Sequence, residues 1–130
     1  MATLEVTERN FEATVKAGIV LLDFWAAWCG PCRMFAPVFE AAAERHPDVV
    51  FGKVNTEAEP GLAGAFSIRS IPSLMVLREG VLLATLPGMR PAAGLDELIG
   101  KVRALDMDEV FREIHAQETA EPASAKAGGV

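Results

Sequence analysis

The sequence is poor in cysteine, in basic residues and in long apolar runs, and each shortage excludes a class of protein. Two cysteines in 130 residues are too few for a small secreted fold held together by several disulfides. The 12 lysines and arginines are outnumbered by 18 acidic residues, so we expect no binding to nucleic acid, which needs a clustered basic stripe. No apolar run approaches the roughly 20 residues of a membrane-spanning helix, so we expect no membrane association.

The first residues of the chain also lack the uninterrupted apolar core of a secretory signal peptide. Glu5, Glu8 and Glu12 are spaced among their apolar positions. A hydrophobic content of 51% and a charged content of 23% are ordinary for a globular domain. We therefore expect a folded protein of the cytoplasm, where a pair of thiols is kept reducible.

Strand-like and helix-like segments alternate over residues 1–104, which is typical of a single α/β domain with helices packed on a sheet. The segment 19–25 is apolar on both faces and predicts a central strand covered by helices. Pro37 falls inside the helix predicted over 32–45 and should kink it, because proline lacks an amide donor. The other predicted elements are strands over 4–6, 49–54, 73–78 and 81–86, and helices after Thr7, over 60–66 and over 91–104.

The sequence changes character after residue 104. Asp106 followed by Glu109 resembles a helix capping box and predicts an additional helix over 105–116. Apolar side chains recur at helical spacing at Met107, Val110, Phe111 and Ile114. They need a covering surface, which is either the body of the protein or a partner such as a second copy. Residues 117–130 contain no aromatic residue and predict a flexible tail.

The two cysteines lie three residues apart at the predicted start of a helix, as Cys29-Gly30-Pro31-Cys32. A thiol attacks a disulfide as its thiolate, and a second thiol must then reach back to break the mixed disulfide. Positions three apart on a helix place both thiols on one face. The free amides and the dipole at the helix N-terminus favour the anion of the first thiol. Cys29 is thus predicted to be the nucleophile and Cys32 the resolving thiol.

Two other interpretations of the cysteine pair stay open on these residues. The cysteines could be an unreactive pair in the core. A structural zinc ion would need four ligands in compact pairs, and only His46 and His115, which lie 69 positions apart, could complete them. That spacing is not typical of a zinc finger, so we predict no metal site.

Asp23 lies in the middle of the most apolar predicted strand. An unpaired carboxylate is costly to bury, so we expect either a raised pKa or a partner for this side chain. Lys53 on the next buried strand can be that partner if the two strands are parallel neighbours. Asp23 is predicted to accept the proton of Cys32 as Cys32 attacks. The alternative is a structural ion pair between Asp23 and Lys53.

Together these residues resemble the thioredoxin family, and the resemblance covers residues 1–104. The active-site segment of that family resembles Asp23-Phe24-Trp25-Ala26-Ala27-Trp28-Cys29-Gly30-Pro31-Cys32. Further matching segments are Lys53-Val54-Asn55-Thr56-Glu57 and Ile68-Arg69-Ser70-Ile71-Pro72-Ser73, with Pro37, Gly80 and Gly88.

The resemblance implies a thioredoxin fold, in which a central mixed sheet is flanked by helices. It also implies a cis peptide bond at Pro72, where the residues alone favour an ordinary trans bond. An apolar surface beside the cysteines, which we call the docking surface, is implied at Trp28, Gly30, Pro31, Ile71, Pro72, Gly88 and Met89.

The cysteine pair and the resemblance predict a thiol–disulfide oxidoreductase that reduces disulfides in client proteins. It is expected to bind no cofactor and to be reduced by a flavin- and NADPH-dependent thioredoxin reductase. One alternative is a disulfide oxidant or isomerase, in whose relatives a histidine usually stands where this chain has Gly30 and Pro31. A second alternative is a binding or chaperone-like module. We expect a monomer, with a dimer through residues 105–116 as the alternative.

Overall fold

The computed structural model describes residues 2–120 and contains one five-stranded mixed sheet with helices on both faces. In this part of the chain no helix is long and apolar enough to cross a membrane. The elements in chain order are β1 (Leu4–Glu5), α1 (Phe11–Val15), β2 (Ile19–Trp25), α2 (Gly30–Arg45), β3 (Val50–Asn55), α3 (Pro60–Ala65), β4 (Ser73–Arg78), β5 (Val81–Pro87), α4 (Ala92–Arg103) and α5 (Met107–Ala120).

The strands lie in the order β1-β3-β2-β4-β5, so that β2 is central and β1 and β5 are the edges. β3 is parallel to β1 and β2, whereas β4 is antiparallel to β2 and β5. The predicted mixed sheet is therefore confirmed. In this register Asp23 of β2 lies directly opposite Lys53 of β3, as the predicted parallel pairing requires.

The two faces of β2 enter different cores because side chains alternate along a strand. Leu21 packs with Phe35 and Phe39 of α2 and with Ile99 of α4. On the other face, Val20, Leu22 and Phe24 pack with apolar residues of α1 and α3. Asp23 shares the face of Leu21, so its side chain lies on the side of the sheet that α2 covers.

The boundaries of several helices differ from those predicted. Asn10 Oδ1 accepts the amide of Thr7 at 2.7 Å, and α1 begins only at Phe11. α2 begins at Gly30, two residues before the prediction, because Cys29 caps it. Glu79 and Gly80 form the hairpin turn between β4 and β5, with φ values of 53° and 80°.

The additional helix is longer than predicted. α5 begins at Met107 and continues to Ala120, so residues 117–120 are helical rather than part of a tail. Residues 121–130 of the predicted tail lie outside the described residues. Asp106 caps α5 by accepting the amides of Asp108 and Glu109 at 3.0 and 3.3 Å. The reciprocal bond of a capping box is replaced by an ion pair between Glu109 and Arg112.

α5 is attached to the body at its N-terminal end. Arg78 Nη1 donates to the carbonyl oxygens of Val102 and Leu105, at 2.8 and 3.1 Å, and so closes the end of α4. Met107 is buried, whereas Phe111 is 43% exposed. The predicted apolar face is therefore covered by the protein itself at Met107, half-covered at Val110 and Ile114, and open at Phe111.

Candidate active site

Cys29 and Cys32 form a disulfide at the N-terminus of α2, with their Cα atoms 5.2 Å apart. The residues are only 5% and 2% exposed. Cys29 is the capping residue of the helix, and its Sγ accepts the backbone amide of Cys32 at 3.2 Å. Among the described residues, no N–H group donates to the sulfur of Cys32. A helix N-terminus favours a thiolate at the position of Cys29.

Two further loops meet the cysteines. The Sγ of Cys29 lies 3.7 Å from the carbonyl oxygen of Ile71. The Ile71–Pro72 peptide bond is cis, as the resemblance implies. The amide of Gly88 donates to the carbonyl of Pro72 at 2.8 Å, which joins the loop after β5 to this one. Residues from three separate parts of the chain are thus brought together around Cys29.

The residues of the docking surface differ widely in exposure. Trp28 is 67% exposed and Met89 is 41% exposed. Pro31 and Gly88 are also exposed, and Gly30 and Ile71 are half-buried. Pro72 is buried, so its ring does not belong to the exposed surface.

Glu57 contacts the site without having been predicted to do so. Its Oε2 accepts the indole Nε1–H of Trp28 at 3.0 Å. Asn55 Oδ1 accepts the amide of Glu57 at 2.9 Å and fixes the turn that presents it. Glu57 lies in a segment that carries the family resemblance, but nothing in the sequence connects it with a tryptophan 29 positions away.

Asp23 is completely buried, and neither of its carboxylate oxygens has a hydrogen-bond partner. Although Lys53 lies opposite in the register, its side chain makes no hydrogen bond or close ion pair with Asp23 in the described part of the chain. The Nζ of Lys53 instead lies 5.0 Å from the ring centroid of Trp25. Burial raises the pKa of Asp23 to about 7, and the charge of Lys53 partly opposes this shift.

This arrangement can perform two-electron thiol chemistry without a bound group. The disulfide is itself the redox centre, and a carboxyl that titrates near neutral pH can take up or release a proton on the α2 side of the sheet. No three His, Cys, Asp or Glu side chains among residues 2–120 converge to hold a metal ion.

Comparisons with known proteins agree with the fold and the site. The family model "Thioredoxin" matches residues 2–101. A "Putative thioredoxin 2" of Streptomyces coelicolor is 54% identical over 118 residues, which cover 90% of this chain and 88% of that protein. A thioredoxin of Listeria monocytogenes is 42% identical over 98 residues, or 75% of this chain and 95% of that protein.

The similarity extends to solved structures. A mutant thioredoxin from Halobacterium salinarum NRC-1 superposes with a TM-score of 0.74 at 30% sequence identity. The match covers 80% of this chain and 93% of that one.

Proposed function

The chain belongs to the thioredoxin family and is a protein-disulfide reductase that works through Cys29 and Cys32, and we propose how its side chains divide the steps of this reaction. Its redox group is the protein's own disulfide, so the reaction needs no bound cofactor. Disulfide-containing proteins are its substrates, and a thioredoxin reductase is the kind of partner that restores the dithiol.

Cys29 carries out the first step. Its thiolate attacks one sulfur of the client disulfide, a bond forms between Cys29 and that sulfur, and the electron pair leaves on the other client sulfur, which takes up a proton. The hydrogen bond from the amide of Cys32 to the sulfur of Cys29, at 3.2 Å, is the observation that supports Cys29 as the nucleophile. A hydrogen bond to the charged form of a thiol, together with the helix dipole, stabilises the thiolate.

Cys32 carries out the second step with the help of Asp23. Cys32 loses its proton to Asp23 and attacks the sulfur of Cys29, which forms the internal disulfide and releases the second client thiol. A carboxyl with a pKa of about 7 is well matched to this transfer at neutral pH. Lys53 acts on the step through Asp23, because its positive charge lowers the pKa that burial raises.

The client is proposed to bind as an extended segment across the docking surface. The backbone N–H and C=O groups of Ile71 pair with no other backbone group of residues 2–120, so both are free to pair with a client strand. The exposed side chains of Trp28 and Met89 give apolar contact on either side of the cysteines. Gly30 and Pro31 leave the approach to Cys29 open.

The physiological electron donor is proposed to be a flavin-dependent, NADPH-linked reductase, and the compartment to be the cytoplasm. Both proposals follow from the need to reduce the disulfide of Cys29 and Cys32 after every turnover. An oxidising compartment would oppose that reduction. The protein is proposed to act as a monomer. Burial of Met107 against its own chain supports this proposal, and a dimer through α5 remains the alternative.

Two cysteine variants test the division of roles. With insulin as substrate and a thioredoxin reductase as electron source, we expect Cys29→Ser to abolish turnover. Cys32→Ser should also lose turnover but accumulate a mixed disulfide with the client on Cys29, which mass spectrometry of the non-reduced adduct detects. Insulin reduction that survives in Cys29→Ser, or adducts that form on Cys32 instead, would contradict the assignment. A binding module would show stoichiometric association without multiple turnover.

A further inference from the structure

Asp23, Trp25 and Lys53 lie on one face of the sheet, next to the cysteines. Asp23 and Trp25 are two residues apart on β2, and side chains alternate along a strand, so both point to the same face. Lys53 of β3 stands directly opposite Asp23 in the parallel register, and residues paired in this way share a face. Trp25 packs against the buried cluster that contains Cys29 and Cys32. The three side chains are therefore neighbours of one another and of the redox pair.

Lys53 has two candidate partners on this face and contacts one of them. Its Nζ lies 5.0 Å from the centroid of the Trp25 ring. Neither carboxylate oxygen of Asp23 has a hydrogen-bond partner in the described part of the chain. Diagonal neighbours on adjacent strands are within reach of long and aromatic side chains. The ammonium group thus takes the diagonal position over the ring and not the position opposite it at the carboxylate.

The difference in burial between the two candidate partners explains this choice. Asp23 is completely buried, whereas Lys53 is half-buried. An ion pair at Asp23 would take the ammonium group out of water, and this desolvation can cost more than the attraction between the charges returns. The face of a tryptophan ring attracts a cation through its quadrupole. Over Trp25 the ammonium group gains that attraction and keeps part of its contact with water.

Trp25 is itself fixed by its backbone. Its carbonyl oxygen accepts the amide of Thr56 at 2.9 Å and the hydroxyl of Thr56 at 3.0 Å. Its indole Nε1 is buried without a hydrogen-bond partner among residues 2–120, so the ring donates no hydrogen bond to Asp23. Trp25 can therefore influence the carboxyl of Asp23 in two ways only, by covering it and by holding Lys53.

The surroundings of Asp23 contain few groups that could charge or discharge it. The charge of Lys53 lowers the pKa of Asp23 and partly opposes the effect of burial. β4 places the neutral Leu74 opposite Asp23. The residues of α2 and α4 that are buried are apolar apart from Cys32, which titrates once the disulfide is reduced. The position of the Lys53 ammonium group is thus the main electrostatic variable at Asp23.

We propose that Trp25 is a positioning residue, whose ring face holds the ammonium group of Lys53 away from the carboxylate of Asp23 and so keeps Asp23 able to exchange a proton with Cys32. The proposal rests on the proton transfer described under the proposed function and adds the residue that adjusts it. A carboxylate in a close ion pair with lysine keeps its negative charge and is a weaker proton acceptor.

The contact between Lys53 and Trp25 can be tested in the wild type, without any variant. The full-length oxidised protein is studied by proton NMR. Because Lys53 Nζ lies over the ring, the methylene protons next to it should be shifted upfield by the ring current. The exposed Lys16 and Lys101 provide the reference signals. Lys53 signals at the position of these two lysines would overturn the proposal.

The effect on Asp23 is measured by carbon NMR of the aspartate carboxyl groups as a function of pH, with Asp23→Asn to assign the signal. Trp25→Leu frees Lys53 to approach the carboxylate and should lower the pKa of Asp23 by about one unit. Lys53→Met removes the charge that lowers this pKa and should raise it. An unchanged titration of Asp23 in folded Trp25→Leu would contradict the proposal.

The double variant separates the two ways in which Trp25 can act. Loss of the ring also admits water, which by itself lowers the pKa of Asp23 because burial is what raises it. If Trp25 acts through Lys53, Trp25→Leu should leave the pKa nearly unchanged in a chain that already carries Lys53→Met. A shift as large as that in the chain with Lys53 would show that Trp25 acts through burial alone, and would overturn the proposal.

A conservative variant and a matched control complete the set. Trp25→Phe keeps an aromatic face and should give less than half the shift of Trp25→Leu. If Trp25→Leu does not fold, Trp25→Phe with and without Lys53→Met gives the same cycle on a smaller scale. The control is Trp28→Leu, which removes a tryptophan that contacts Glu57. It should leave the pKa of Asp23 at the value of the wild type, and an equal shift there would contradict the proposal.

The breakdown of the mixed disulfide distinguishes this proposal from the function on which it rests. Its rate against pH should have a midpoint that follows the pKa of Asp23 and moves about one unit lower in Trp25→Leu. If the pKa moves and the midpoint does not, the proton-transfer role of Asp23 fails, whereas the positioning of Lys53 stands. If the midpoint follows the pKa in the wild type but the double variant shows no coupling between Trp25 and Lys53, the positioning role alone fails.

Discussion

The two ends of the sheet hold their charged groups in opposite ways. At the end remote from Cys29, Arg45 pairs with Asp96 at 2.9 Å, and Arg103 pairs with Asp48. At the catalytic end, Asp23 is completely buried, and neither of its carboxylate oxygens has a hydrogen-bond partner. The carboxylates of Asp96 and Asp48 at the remote end are therefore paired within the fold, whereas Asp23 at the catalytic end has no protein partner and can bind a proton.

The pKa values of Asp96 at the remote end and Asp23 at the catalytic end show the effect of this difference most clearly. Hydrogen bonds from His46 and Arg45 hold the pKa of Asp96 below its usual value. Burial without a hydrogen bond raises the pKa of Asp23 to about 7. The same side chain is thus a permanent anion at one end and a group that titrates at neutral pH at the other. This difference can be tested by the pH dependence of stability and of catalysis.

The largest expected effect is on stability as a function of pH. Asp23 has a pKa of about 7 in the folded protein and an ordinary value of 3.8, so between these values the folded state binds a proton that the unfolded state has released. The stability that protonated Asp23 contributes is complete below the ordinary value of 3.8 and is lost as the pH rises through about 7. The total change is on the order of 4 kcal/mol.

Urea unfolding of the oxidised protein between about pH 4 and 9 measures this loss. Asp23→Asn cannot ionise and should remove the decline, so that the variant is more stable than the wild type above a pH of about 7. The matched substitution at the remote end, Asp96→Asn, should leave the decline in place. A wild type whose free energy of unfolding does not fall over this range would contradict the assigned titration of Asp23.

The next largest effect is on the release of the client. Without a proton acceptor for Cys32, Asp23→Asn should slow the breakdown of the mixed disulfide by about a hundredfold at neutral pH. The initial attack by Cys29 should change far less. Rapid acid quenching followed by separation of the mixed disulfide measures both rates. Equal slowing of both steps, or an unchanged release rate, would remove Asp23 from the proton-transfer role.

A smaller effect is expected when the C-terminal helix is removed. Truncation after Ala104 exposes the surface that Met107 covers and should lower the free energy of unfolding by about 1–2 kcal/mol. Turnover should stay at the wild-type value, because Arg78 and the start of α5 lie at the remote end of the sheet. Light scattering should give a monomer mass for both chains. A dimer mass for the full chain alone would favour the alternative of an interface through α5.

The smallest effect concerns the hydrogen bond that holds Trp28. Glu57→Ala removes the acceptor of the indole N–H and should lower kcat/KM for a protein client about fivefold, because one hydrogen bond contributes roughly 1 kcal/mol. Glu57→Gln keeps an acceptor oxygen and should stay close to the wild type. Tryptophan fluorescence should shift in the alanine variant only. Identical kinetics in both variants would mean that the bond does not position Trp28 for clients.

Much of the fold follows from local patterns in the sequence. The boundaries of β2 and β4 were predicted to the residue, because apolar β-rich segments end there at turn residues. The sequence also allowed the prediction that Asp23 and Lys53 come together, because they lie on two buried segments that can pair as parallel strands. The early start of α2 was not predictable, because a sulfur atom takes the place of the usual capping oxygen there.

The parts that could not be predicted depend on side chains that meet across long sequence separations. The contact between Trp28 and Glu57 joins residues 29 positions apart. Either a raised pKa or a partner was expected for Asp23, and only the three-dimensional structure shows that Lys53 lies over the ring of Trp25 and that the pKa of Asp23 is raised. The pairing of each arginine likewise depends on which carboxylates the fold brings within reach, which neither charge counts nor spacing reveal.

Selective alkylation of the two thiols tests the central claim most directly. The reduced protein is treated with a limiting amount of iodoacetamide across about pH 5 to 9, and the label on each cysteine is measured by mass spectrometry of its peptide. Because only Cys29 has its sulfur at the amides of the helix N-terminus, its alkylation should be at least about tenfold faster than that of Cys32 at neutral pH. Equal rates, or faster labelling of Cys32, would contradict the account.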